Sequence, residues 1–158
     1  MCPLRLDPRD DMGPVLALLR ASFAYMEGRI DPPSSLTRMG PEALAAEAGR
    51  AELWILPPPA APLACVLLTP KADHLYLGKL AVTPTQRDAG LARQMIGLAE
   101  ARAQALGLGE IRLEARVELT QNHATFARLG FTEIGQSAHP GFDRPTSLTF
   151  ARPVPPRG

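Results

Sequence analysis

Apolar and polar residues alternate strictly from Ile111 to Thr120. Ile111, Leu113, Ala115, Val117 and Leu119 stand against Arg112, Glu114, Arg116, Glu118 and Thr120. A period of two is the mark of a half-buried strand. A helical period takes over elsewhere. Val15, Leu16, Leu18, Leu19, Ala21, Phe23 and Met26 supply one buried face of a helix from Asp10 to about Met26. From Gly90 to about Leu106, apolar residues at 91, 92, 95, 96, 98, 99, 103, 105 and 106 predict a second, stopped by Gly107 and Gly109. Leu75 to Val82 is apolar on both faces except for Lys79, the pattern of a central strand.

Prolines divide the rest. The chain holds 17 of them, and none falls between 85 and 139. Proline is excluded from helix interiors and central strands, so its gaps map regular structure. Pro41 opens a short helix to Ala48. Pro57-Pro58-Pro59 with Pro62 makes a stiff turn between strands Glu52 to Leu56 and Leu63 to Thr69. Leu4 to Leu6 is a further strand, Asn122 to Leu129 a short helix stopped by Gly130, and Phe131 to Gly135 and Thr146 to Phe150 closing strands. The order β-α-α-β-β-β-α-β-α-β-β describes a mixed α/β domain around one sheet. The length of 158 residues fits one domain, taken as 1–152, with a Pro-rich tail at 153–158. The segment from Arg152 onward is expected to fray.

Composition narrows the function. Seventeen Lys and Arg against 16 Asp and Glu leave a net charge of +1, which argues against a nucleic-acid surface. No run of about 18 apolar residues offers a membrane span, and no apolar leader core follows Met1, so a cytoplasmic protein is expected. Cys2 and Cys65 form no CxxC pair, and three scattered histidines complete no metal pattern. Cys65 is expected to be an inert thiol in a buried strand.

The informative stretch runs from Lys79 to Arg93: an apolar strand, a tight turn and a new helix. The first N–H groups of that helix lack intrahelical partners and converge with the positive end of its dipole, which makes an anion pocket. Gly90 admits a phosphate to the backbone, Ala92 keeps the next turn slim, and Arg87 adds charge at the mouth. No Gly-Lys-Ser/Thr follows, and G-x-G-x-x-G is absent, so neither a Walker loop nor a dinucleotide fingerprint is present.

Three pieces in order resemble the GNAT superfamily of acyl-CoA N-acyltransferases. They are Leu80-Ala81-Val82-x-Pro84 with Arg87-x-x-Gly90-x-Ala92, the strand Ile111 to Ala115, and Asn122-x-x-x-Phe126-Ala127-Arg128-Leu129-Gly130-Phe131. The resemblance covers about residues 75–135. It implies a single mixed, mostly antiparallel sheet flanked by helices and acetyl-CoA as co-substrate, with no metal. Leu80 and Val82 backbones are then expected to pair with the pantetheine arm. The amides of Arg87, Asp88, Ala89, Gly90, Leu91 and Ala92 are expected to hold the pyrophosphate, Asn122 to bond the arm, and Phe126 to flank the thiol. Many members carry Tyr at the Phe126 position, where its hydroxyl can protonate the departing thiolate. Phe126 has none.

Acetyl transfer to an amine also wants a base, because an alkyl amine has a pKa near ~10. Tyr76, Gly78 and Lys79 on the central strand offer none. Glu114 reads either as one rung of a solvated ladder with Arg112 and Arg116, or as a base on a face opening into the acceptor cleft with Arg116 beside the acceptor. His139 reads either as a turn residue or as a base or acceptor contact. An N–H near Leu80 can serve the oxyanion, and Gly78 is expected to mark a bulge or a close backbone approach. Asp31, Ser34 and Ser35 lie in the loop after the first helix, where family members grip the acceptor. Tyr25, Phe23 and Trp54 read as core. The expected activity is an N-acetyltransferase acting on a small-molecule or peptide amine, in a monomer or homodimer. Two alternatives remain: a non-catalytic CoA-binding module, and a transferase acting on nucleic-acid-bound aminoacyl groups, which the +1 charge does not favour.

Overall fold

Seven strands join in one sheet of order β1-β2-β3-β4-β5-β7-β6 in the computed structural model, which describes residues 2–86 and 90–156. The strands are β1 (Leu4–Leu6), β2 (Glu52–Leu56), β3 (Ala64–Pro70), β4 (Leu75–Val82), β5 (Glu110–Arg116), β6 (Thr132–Ser137) and β7 (Ser147–Pro153). Four helices flank them: α1 (Gly13–Phe23), α2 (Pro41–Arg50), α3 (Leu91–Ala105) and α4 (Thr120–Arg128). All neighbours pair antiparallel except β4 and β5, which are parallel and joined through α3. β4 is the middle strand, as its two-sided apolar pattern predicts.

Each face of the sheet carries its own core. Ala64, Val66 and Leu68 of β3 point to the α3 side, with Leu75, Leu77, Ile111 and Leu113. Cys65 and Leu67 alternate to the other side, where α1 and α2 bring Val15, Leu19 and Leu44. Burying both faces is what gives β3 its unbroken apolar run.

Element ends differ from the sequence reading by three residues or more in four places. α1 begins at Gly13, three residues later than expected. Asp10 Oδ2 accepts from the Asp7 amide at 2.7 Å, and Asp11 Oδ1 from the Gly13 amide at 2.9 Å. These short side chains therefore make turns ahead of the helix, and Pro14, lacking an N–H, takes a first-turn place. Past Phe23 the chain tightens to a 3-10 turn at Ala24–Met26. β5 stops at Arg116 although the alternation continues. There the Leu119 amide turns back to the Arg116 carbonyl at 3.1 Å, and buried Leu119 leads into α4. The C-terminal segment is docked through Pro155. β7 runs to Pro153, the Val154 amide donates to the Gly109 carbonyl at 2.9 Å, and Gln104 Nε2 donates to the Pro155 carbonyl at 3.0 Å.

Candidate active site

β4 and β5 share only two register pairs, Leu75 with Ile111 and Tyr76 with Arg112. Beyond them the strands part. The cause lies on the other edge of β4, where Leu67 faces Gly78 but Cys65 faces Ala81, so Lys79 and Leu80 together oppose Val66. This is a β-bulge, and a bulged strand bends. The bulge also shifts the alternation by one. Leu75 and Leu77 before it, and Leu80 and Val82 after it, all face the α3 side.

The sequence reading puts the bulge at Gly78. The left-handed residue is instead Lys79, with φ 51°. Its ammonium lies 3.0 Å from Glu47 Oε2 on α2, and its carbonyl accepts from the Cys65 thiol at 3.4 Å. Burial pushes that thiol up to about 12, so Cys65 is the inert, buried cysteine its place in β3 predicts.

The parted strands enclose a cleft of about 350 Å³. Leu80, Val82, Ala92, Asn122, Phe126, Glu114, Arg116 and Ser35 line it, a large part of the residues singled out from the sequence. At its mouth α3 starts from Gly90, which holds φ +76° and leaves open space where a Cβ would stand. No side chain caps this helix end, and no acidic residue sits in its first turn. Its first amides and dipole are thus available to an anion. Leu91 contributes only backbone, because its side chain is buried in the core. Arg87, Asp88 and Ala89 lie outside the described residues.

Glu114 does not pair with its neighbouring arginines. Arg112 turns to Glu110 and approaches Asp73 at 4.0 Å. Arg116 donates to the Pro32 carbonyl at 2.7 Å, and burial pulls its pKa below the ordinary value. The Glu114 carboxylate is approached instead by hydroxyls, Tyr76 Oη at 3.4 Å and Ser137 Oγ at 3.3 Å. Burial, then Glu114, pushes the Tyr76 phenol up to about 12.

His139 and Asp31 do not line the cleft. The His139 imidazole is bonded to Thr146 Oγ1 within the β6–β7 connection. Asp31 donates its amide to Glu118 Oε2 at 3.1 Å and pairs with Arg144 at 3.1 Å. Beside the cleft, the segment after α1 encloses a second cavity of about 460 Å³, with Phe23, Met26, Ser34 and Leu36 shared between the two walls.

Two residues read as core from the sequence, Phe23 and Tyr25, turn out to line the cleft. Tyr25, read as core, lines the cleft and meets Asn122, whose Nδ2 donates to Tyr25 Oη at 2.9 Å. The sequence signal was its place at the end of the first helix, next to the loop expected near the acceptor. His123 pins α4 to the end of β5 through the Arg116 carbonyl, 2.8 Å away. Among the described residues no group of three or more His, Cys, Asp and Glu gathers to hold a metal ion, and no helix is long and apolar enough to cross a membrane.

Solved structures share this fold across the chain. PaiA N-acetyltransferase from Thermoplasma acidophilum, in complex with coenzyme A, superposes with a TM-score of 0.79 at 14% identity, covering 97% of this chain and 99% of that one. Aminoglycoside 6'-acetyltransferase type Ii gives 0.75 at 16% identity, with 100% of both chains covered. The ribosomal-protein-S18-alanine N-acetyltransferase from Escherichia coli gives 0.65 at 19%, covering 99% and 97%. No curated protein sequence matches the chain. The family model described as the acetyltransferase (GNAT) family matches residues 20–131, well over half of the length, and the chain belongs to that family.

Proposed function

We propose that the protein moves an acetyl group from acetyl-CoA to a primary amine of a small molecule or peptide, by direct attack of the amine on the thioester. The observation that carries this reading is the parted edge of β4, which leads from the bulge to the uncapped start of α3. A pantetheine arm fits that edge as an added strand on Leu80 and Val82, and a pyrophosphate suits the amides from Gly90 to Ala92. Asn122 and Phe126 close the arm from α4. The neighbours solved with coenzyme A share the fold.

The amine enters from the side of the 27–36 loop, where Ser35 and Arg116 line the wall. Glu114 takes the amine proton, directly or through water, and Tyr76 and Ser137 hold its carboxylate in place. The bulged backbone near Leu80 offers an N–H to the oxyanion. His139, held by Thr146, has no part at the reacting atoms in this scheme.

One observation favours a non-catalytic CoA-binding module instead. The Phe126 ring packs on Phe131 and Phe150, with centroids 6.0 and 6.1 Å away, and presents no hydroxyl. Calorimetric titration with acetyl-CoA, followed by release of free CoA thiol across a panel of amines, separates the readings. Binding with turnover supports the transferase. Binding without turnover of any amine leaves the module, and absence of binding overturns both.

A further inference from the structure

We propose that the Tyr25 hydroxyl protonates the thiolate released when the acetyl group is transferred; this rests on the transferase reading above. Breaking a thioester leaves a sulfur anion in the cleft, and the α4 position beside it, Phe126, offers only carbon. A donor must come from another element. The chain has two tyrosines, Tyr25 and Tyr76, and both line the cleft.

Tyr76 is turned to Glu114 at the closed end of the parted strands, where β4 and β5 still pair. The aliphatic hydroxyls are far weaker acids, and several are committed. Ser34 Oγ accepts from the Leu36 amide at 3.2 Å, and Thr125 Oγ1 donates to the Gln121 carbonyl at 3.1 Å.

Tyr25 stands elsewhere. It follows α1 in the 3-10 turn Ala24–Met26 and reaches across to Asn122, 97 residues later in the chain. Asn122 and Phe126 are four residues apart on α4, hence on one face. The Tyr25 hydroxyl therefore meets the same helix face that Phe126 occupies one turn on. Asn122 Nδ2 donates to the phenol oxygen at 2.9 Å, and the Tyr25 hydroxyl donates to Oδ1 of the same amide over a longer 3.3 Å, a bond it would exchange for the sulfur. The shorter contact occupies an oxygen lone pair, steadies developing phenolate charge and fixes the ring.

The proton balance closes. The amine nitrogen bonds to the acetyl carbon and its surplus proton passes to Glu114 or water. The C–S bond breaks with its electron pair on sulfur, which takes the Tyr25 proton. The phenolate regains a proton through solvent from the Glu114 side, so the products are the amide and free CoA thiol. An ordinary phenol near ~10 and thiol near ~8.5 are close enough in acidity for transfer as the bond breaks.

The test begins with an amine that the wild-type protein acetylates. Tyr25→Phe is expected to lower kcat at least ~10-fold, the low end for acid–base catalysis, with acetyl-CoA affinity within about threefold of wild type. Adding Phe126→Tyr to Tyr25→Phe is expected to recover most of the lost rate, which a packing role for Tyr25 does not predict. Replacing Tyr25 with 3,5-difluorotyrosine keeps the ring and lowers phenol pKa, so the basic limb of the kcat–pH profile should move to lower pH. An active wild type with an unmoved limb, or a Tyr25→Phe variant at full rate, overturns the proposal and leaves the transferase standing. A wild type that binds acetyl-CoA yet acetylates nothing overturns both.

Discussion

Lys79 of β4 and Glu47 of α2 form an ion pair at 3.0 Å across the point where β4 bulges. Both side chains are mostly shielded from solvent, and the lysine backbone is left-handed at φ 51°. A helix on one face of the sheet thus holds the backbone irregularity that opens the cleft.

That geometry sets an order among variants. A non-glycine residue in the left-handed region costs about 1–2 kcal/mol, which glycine avoids. Lys79→Ala and Lys79→Gly both lose the ion pair, but only the alanine keeps the backbone cost. Urea denaturation should find Lys79→Gly more stable than Lys79→Ala by roughly 1 kcal/mol. The reverse order would mean that Lys79 is not left-handed.

The start of α3 gives a ligand-linked prediction. Gly90→Val places a branched side chain at φ +76° and in space that is open in the protein. It should weaken acetyl-CoA binding at least ~10-fold, and the rise in melting temperature with ligand should fall accordingly. Gly107→Ala, with a similar φ of +73° beyond the other end of α3, is the control. It should lower stability while keeping the ligand response. Equal ligand responses in the two variants would remove the anion site.

Glu114→Gln should reduce turnover at least ~10-fold with acetyl-CoA affinity unchanged, and should remove the acidic limb of the kcat/KM profile. Tyr76→Phe should cost less, because Ser137 still reaches the carboxylate. A wild-type profile in Glu114→Gln would indicate that the amine loses its proton to solvent. An increase in acceptor KM for His139→Ala, by contrast, would bring the β6–β7 connection over the acceptor.

Stability should respond to acid through Glu52. Its carboxylate accepts from Arg102 at 2.7 and 2.9 Å and from Trp54 Nε1 at 3.0 Å. The Arg102 hydrogen bonds, more than Trp54, hold its pKa below the usual 4.5. A lowered folded-state pKa contributes stability that is complete above the unfolded value and drains as pH falls through the folded one. Glu52→Gln should therefore lose roughly 1 kcal/mol at pH 7, because Arg102 keeps access to solvent and the amide can still accept from it. Its stability should change less steeply than wild type below pH ~4.5. Parallel acid titrations of the two melting temperatures would assign the stability to other groups.

The strands and most helices were legible because burial imposes a period on them. β5 announced itself by alternation, and β4 by an apolar run that only a central strand sustains. The turn before α3 was legible for another reason, since Gly90 and Ala92 answer a local backbone need. The bulge was not. Glycine is the natural expectation for a left-handed residue, yet the position fell on Lys79, whose tie to Glu47 joins elements 32 residues apart. Tyr25 was hidden in the same way. Its helical spacing and apolar ring suit a core, and only a contact 97 residues distant draws its hydroxyl to the cleft.

The two pairs at Leu75 and Tyr76 make the sheet a pair of leaves joined along a short spine. One leaf is β1 to β4 and the other is β5, β7 and β6, with α3 lying against both. Few ladder bonds resist a scissoring of the leaves, so amides on the inner margins should exchange with deuterium sooner than those of β3. A molecule laid along the gap supplies the rungs that the two strands do not share. Filling the site would then stiffen the whole sheet and slow exchange on the far leaf as well, making occupancy a mechanical property of the domain.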